Sequence, residues 1–112
     1  MGMRNWIIKK LIAMQMVGWS EGTMEEQRAK QEQMSKYSRI PADIYCQPVD
    51  VDGVSGEWIS PSDADFGVIL YLHGGAYALS SITVYREFLS RLVRATKMRC
   101  LAINYRLAPE NP

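Results

Sequence analysis

Hydrophobic and polar positions alternate in three different rhythms along the chain. Near the start, Ile7, Ile8, Leu11, Ile12 and Met16 recur at helical spacing, with Lys9, Lys10 and Gln15 off that face. The pattern predicts an amphipathic helix from about Asn5 to Val17, broken near Gly18. Thr23 followed by Glu26 has the spacing of a capping box and opens a second helix running to about Ser35. Few apolar residues mark a face there, and Glu26–Lys30 and Glu32–Lys36 stand at i,i+4 in the favourable order, so this helix reads as mostly solvated. Pro41 ends the helical region. IYCQPVDV, residues 44–51, is strand-like, DGVSG reads as a turn and EWIS as the return strand, together a hairpin. Pro48 inside the first strand predicts an edge position.

The rhythm then changes. FGVILYL, residues 66–72, is a continuous apolar run, which is how a strand covered on both faces of a parallel sheet reads. After HGGAYALSS, the residues Tyr85, Phe88, Leu89, Leu92 and Val93 match a helix template. Ser81 or Thr83 is placed to cap that helix, and Lys97 and Arg99 stand near its C-terminal end. RCLAINY, residues 99–105, is a second apolar strand. Strand, helix and strand of these lengths form a βαβ unit of right-handed crossover. The expected class is α/β, with a helical segment over 1–40 and a core over 41–112.

Composition narrows the field. A length of 112 residues suits one modest domain or a piece of a larger one, and 47% apolar residues suffice for a core. A formal charge of +1 is too balanced to point to nucleic acid or acidic lipid as a partner. Cys46 and Cys100 both fall in apolar, strand-like surroundings, which favours two buried free thiols in a reducing compartment over a disulfide. Lys9 and Lys10 interrupt the N-terminal apolar run and no A-x-A-like site follows, so it does not read as a signal peptide, and it is too short for a membrane span. Trp6 occupies the position where a myristoylation motif needs Ser or Thr. A cytoplasmic location is the expectation. For the first helix, Trp6 and Trp19 leave two readings open, packing on its own domain or a role as a lid or on a membrane surface.

The chemistry concentrates in YLHGGAYALSS, residues 71–81, where an apolar strand ends in a histidine and two glycines. A loop leaving the C-terminal end of a parallel strand is where α/β sheets place ligands. Glycines there allow backbone angles closed to other residues and leave N–H groups free to face a cleft. A phosphate cradle would need a third glycine or a following lysine, and neither is present. His73 is the sole histidine, with no Cys or carboxylate at a recognisable ligand spacing, so neither a metal nor a cofactor is expected. Stabilisation of an oxyanion fits the pattern better.

HGGAY after a strand, then a helix, then a strand running into NYRLAPENP, resembles the hormone-sensitive-lipase-like branch of the α/β-hydrolase superfamily. That family carries H-G-G-G or H-G-G-A plus an aromatic residue, and later Y-R-L-A-P-E. The likeness is close over 66–112 and looser over 44–60, as the opening antiparallel strands. It implies that 1–40 belong to a substrate-covering cap and 41–112 to the first part of the hydrolase core. It implies a carboxylic ester hydrolase acting on short-chain acyl esters, a small-molecule partner. By motif position, Gly75 and Ala76 would supply two oxyanion-hole N–H donors, with Gly74 making the turn possible. His73 would brace the loop and is not the family's general base. Tyr77 would line the cleft, or pack as a core aromatic. Tyr105, Arg106, Pro109 and Glu110 resemble the family's structural turn, with packing and salt-bridge roles.

The family's nucleophile is a serine on a G-x-S-x-G elbow, with acid and base partners later in the chain. The expectation is that all three are missing here. GVSGE, around Ser55, lacks the spacing and falls in a hairpin turn, and the one histidine is already in the oxyanion loop. The 112 residues are therefore expected to be part of a longer esterase and inactive alone. The alternative is a short non-catalytic product, or a ligand-binding relative like the plant gibberellin receptors, which resemble the same family. An apolar strand edge left unpaired should make the chain poorly soluble or oligomeric.

Overall fold

The computed structural model describes residues 2–17, 21–65 and 67–112, with the side chains of 15–17 left aside. The break near Gly18, Trp19 and the Phe66 end of the predicted strand lie outside the described residues.

Helix α1 spans Met3–Val17, two residues earlier than its periodicity suggested. Its described side chains do not pack on the domain: Trp6, Ile7, Ile8, Leu11, Ile12 and Met14 are all exposed. At 100° per residue, Lys10 falls between Trp6 and Met3, so the apolar positions encircle the helix and form no single face. Lys10 places its ammonium 4.7 Å from the Trp6 ring. No helix among the described residues is long and apolar enough to cross a membrane.

Helix α2 spans Met24–Ser35 and starts as its sequence specifies: Glu26 N–H donates to the Thr23 hydroxyl at 3.2 Å, and Thr23 N–H donates to Glu26 Oε2 at 2.9 Å. Glu26 is thus committed to the cap, and Glu32 accepts a hydrogen bond from the Ser81 hydroxyl, so both depart from the i,i+4 partners predicted for them.

Strands β1 (Ile44–Val51) and β2 (Val54–Pro61) form the antiparallel hairpin. The turn is tighter than DGVSG suggested. Only Asp52 and Gly53 make it, with φ of 54° and 89°, the two positive angles that a two-residue hairpin requires. Val54, Ser55 and Gly56 join the strand. Strand β3 (Val68–Leu72), helix α3 (Ile82–Thr96) and strand β4 (Arg99–Ile103) complete the chain. The sheet order is β1-β2-β4-β3, with β2 and β4 antiparallel and β3 and β4 parallel. Pro48 lies on an edge strand, as its missing N–H requires.

Helix α3 covers one face of this sheet. Ile44, Ile59, Ile82, Leu89, Val93, Cys100 and Ala102 form the core, with Ile69, Tyr71 and Tyr85 packed against it. Leu89 and Val93 are fully buried, each contributing about 1.5–3 kcal/mol. Beneath the helix, the Arg86 guanidinium donates twice to the Glu57 carboxylate, both bonds at 2.7 Å. Ser81 sits at the N-cap of α3 without capping it by its side chain; the Ile82 N–H donates to Asn104 Oδ1 at 2.9 Å. Lys97 closes the helix in a left-handed conformation, its N–H donating to the Val93 carbonyl, while Arg99 lies over the Trp58 ring.

The opposite face departs from expectation. Val68, Leu70 and Leu72 alternate outward on β3 and are exposed, in register with Arg99, Leu101 and Ile103 of β4. The apolar run over 66–72 suggested a strand covered on both sides, but α3 covers only the Ile69 and Tyr71 side. The cysteines also split. Cys100 is buried and Cys46 is exposed, both as free thiols. Cys46 pairs in register with Ile59, and Ile59 with Cys100, so the two stand two strand spacings apart, about 10 Å and beyond disulfide reach.

Candidate active site

The loop after β3 leaves the sheet beside the end of β4, and residues from both strand ends build it. His73 is only 4% exposed. Its ring stacks on Tyr105 at 4.5 Å and faces Tyr85 at 6.0 Å. His73 Nδ1 lies 2.8 Å from the Gly74 carbonyl oxygen, a contact that requires the proton on Nδ1. The Tyr105 hydroxyl donates to the His73 carbonyl at 2.6 Å.

The chain then turns left-handed. Gly75 has φ of 132°, Ala76 of 54° and Tyr77 of 60°. The Gly75 carbonyl accepts from the N–H groups of Ala78 at 3.1 Å and Leu79 at 2.9 Å. Only glycine fits at 75, since a Cβ there would lie 2.2 Å from the Leu79 carbonyl oxygen. Left-handed angles at Ala76 and Tyr77 cost on the order of 1–2 kcal/mol each, and such strain persists only where the surroundings impose it. Here they do. The Tyr77 carbonyl accepts from Ala108 N–H at 2.8 Å, and Arg28 of α2 holds the far side. Its Nε donates to the Ala78 carbonyl and its Nη2 to the Ala108 carbonyl, both at 2.8 Å. The same guanidinium pairs with Glu110 through Nη1 at 2.9 Å and Nη2 at 3.1 Å. That pairing holds the Glu110 carboxyl below its ordinary pKa and raises that of Arg28.

The consequence lies in the amides. Among the described residues, the N–H groups of Gly74, Gly75, Ala76 and Tyr77 meet no hydrogen-bond acceptor. Two or more donors on a tight left-handed bend can receive an anionic oxygen. Tyr77 is 78% exposed, so it is no core aromatic. In the second motif, Tyr105 and Glu110 make the bonds just given, Pro109 follows Ala108 through a cis peptide, and Arg106 is exposed with no ion pair among the described residues. No group of three or more His, Cys, Asp or Glu side chains among the described residues could hold a metal ion. A groove of about 350 Å³ adjoins the loop, lined by Gln27, Gln31, Met34 and Tyr37 with Leu79 at its edge.

Two features escaped the reading of the sequence. Arg28 carried no local signal, because its partners lie 50 to 82 residues away. The other is GWSEG, residues 18–22, which does have the G-x-S-x-G spacing expected to be missing. Helix α1 precedes it and α2 follows, so it lacks the strand that builds a nucleophile elbow, and Gly18, Trp19 and Ser20 lie outside the described residues.

Comparison with known proteins bears on the class. Residues 69–112 match the model of a family with the α/β hydrolase fold. An acetyl-hydrolase of Streptomyces hygroscopicus is 40% identical over 72 residues, 64% of this chain and 23% of that protein. A gibberellin receptor of Arabidopsis thaliana is 46% identical over 55 residues, 46% of this chain and 16% of the receptor. The crystal structure of an esterase from the bacterial hormone-sensitive lipase family superposes with a TM-score of 0.76 at 39% identity, covering 82% of this chain and 31% of that one. The chain thus spans about a quarter of the length of the curated relatives it matches.

Sheet order, crossover and loop together define part of an α/β-hydrolase fold. Within that superfamily, over the stretch the comparisons cover, the chain is similar to proteins of the hormone-sensitive-lipase-like branch, among them proteins named esterase and acetyl-hydrolase.

Proposed function

We propose that residues 73–77 form the oxyanion-hole loop of a carboxylesterase. As a nucleophile adds to an ester carbonyl carbon, the π pair moves onto the carbonyl oxygen, which becomes an anion. The N–H groups of Gly75 and Ala76 donate hydrogen bonds to that oxygen, and its pair re-forms the carbonyl π bond as the C–O bond to the alkoxide breaks and the alkoxide leaves with that bond's electrons. Each such donor lowers the barrier by about 3–4 kcal/mol. Alanine at position 76 keeps the N–H, and the bend tolerates it at a positive φ. His73 braces the loop through its own carbonyl and its stacked ring, Tyr77 stands at the mouth of the cleft, and short-chain acyl esters are the substrate class. The observation that carries this reading is the run of amides that meet no acceptor among the described residues, on a bend held by Ala108 and Arg28.

These 112 residues are inactive alone. His73 directs Nδ1 at its own loop, and among the described residues no strand leads into a serine elbow. The purified chain should release no p-nitrophenol from p-nitrophenyl butyrate above a heat-denatured control. Turnover abolished by a serine-directed phosphonate would contradict that assignment. The likeness to a gibberellin receptor favours a second reading, in which the same amides hold a carboxylate or carbonyl ligand without hydrolysis. It is distinguished by saturable binding of such a ligand in a protein that never turns over esters.

A further inference from the structure

We infer that Arg28, far from the loop in sequence, is a positioning residue for residues 75–79, a role that rests on the oxyanion reading of that loop. The side chain joins three separate segments. It extends from α2, where its residue is half-buried, and spends four of its five N–H donors on two backbone carbonyls and one carboxylate. The Ala78 carbonyl belongs to the left-handed turn itself. The Ala108 carbonyl belongs to the residue whose N–H holds the Tyr77 carbonyl. Arg28 therefore grips the turn twice, once directly and once through Ala108. Glu110 grips Arg28 in turn with both oxygens, fixing the plane of the fork so that Nε and Nη2 aim at the two carbonyls. Lysine cannot replace this arrangement, since one ammonium at the end of a flexible stem cannot span two carbonyls and a carboxylate in one plane. The helical segment and the loop that presents the amides are thereby one mechanical unit. A movement of α2 is transmitted to the spacing of the donors, a property of cap and site that neither motif contains.

The test reads the turn without any ester. In the full chain, exchange of the Ala78, Leu79 and Ala108 amides, each bonded within this assembly, is followed by NMR and compared with the Leu89 and Cys100 amides of the core. Arg28→Lys should raise exchange of the three loop amides at least tenfold and leave the core amides unchanged. Unchanged loop amides would overturn the inference, as would an equal rise in loop and core, which would make Arg28 a general stabiliser. Should Arg28→Lys fail to fold, Glu110→Gln keeps an acceptor and loses the charge; it should raise the same three amides two- to fivefold, and no change there would equally overturn the inference. A failure of the oxyanion reading would appear in the ester turnover of a chimera that joins this chain to the remainder of an esterase, and would leave these exchange rates where they are.

Discussion

The Tyr105 hydroxyl donates to the His73 carbonyl at 2.6 Å while the two rings stack at 4.5 Å. One residue follows β4 and the other follows β3, so a single pair ties together the two parallel strand ends that present the loop. The tie works in two parts, a hydrogen bond to the backbone and a ring contact, which can be separated.

Tyr105→Phe removes the hydroxyl and keeps the stack. The His73 carbonyl then loses its donor in a nearly water-free position, so the variant should unfold about 1–2 kcal/mol more easily in urea. Tyr105→Ala, which loses the stack as well, should cost more. Equal stability of Tyr105→Phe and the parent would show that the bond adds nothing.

The two glycines should differ sharply. A Cβ at Gly74 meets only the Tyr85 hydroxyl, at 3.2 Å, the mobile end of a side chain. At Gly75 it meets the Leu79 backbone oxygen at 2.2 Å. Gly75→Ala should therefore lose more than about 2 kcal/mol and displace the amides of 76–79 in an NMR spectrum, and Gly74→Ala about 1 kcal/mol or less. Comparable effects at both positions would contradict the turn geometry.

Acid should loosen the assembly from outside. Hydrogen bonds from Arg28 and Arg94 hold the Glu110 and Asp43 carboxyls below their ordinary values. Carboxyls lowered on folding contribute stability that is complete above their unfolded pKa and lost as pH falls through the folded one. The melting temperature should fall between about pH 5 and pH 3, and Glu110→Gln should flatten part of that slope. Both groups are exposed, so salt should shrink the effect. A slope identical in Glu110→Gln would remove Glu110 from the account.

The thiols give an independent check on the fold. Burial pushes Cys100 up to about 11, while Cys46 is exposed on β1. Iodoacetamide at neutral pH should label Cys46 first, and Cys100 only at the rate of unfolding. Equal labelling of both in the native chain would mean that Cys100 is not in the core.

Much of this architecture is legible in the sequence where the signal is local. Thr23 and Glu26 specify their own cap, Pro48 marks its edge, and the strand-loop-helix-strand rhythm of 68–103 gives the crossover. What is not legible depends on what lies opposite. The Val68, Leu70 and Leu72 side of β3 looks as buried in sequence as the Ile69 and Tyr71 side, yet only the latter meets α3. The apolar residues of α1 suggest a face, but they encircle the helix and stay exposed. GWSEG shows the converse hazard, a five-residue spacing without the strand that gives it meaning. At the site, HGGA marks the loop, but the hold on the bend at Ala76 and Tyr77 comes from contacts between distant parts of the chain, Tyr77 with Ala108 and Arg28 with Ala78 and Ala108, which periodicity does not carry.

The claim beneath all of this is that the Ala76 amide donates to an ester oxyanion. Residues 1–112 can be joined, by semisynthesis, to the remainder of a hormone-sensitive-lipase-family esterase, with the single Ala76 N–H replaced by an ester oxygen. Hydrolysis of p-nitrophenyl butyrate should lose roughly 10²–10³-fold in kcat with KM little changed. A kcat equal to that of the all-amide chimera would contradict the claim.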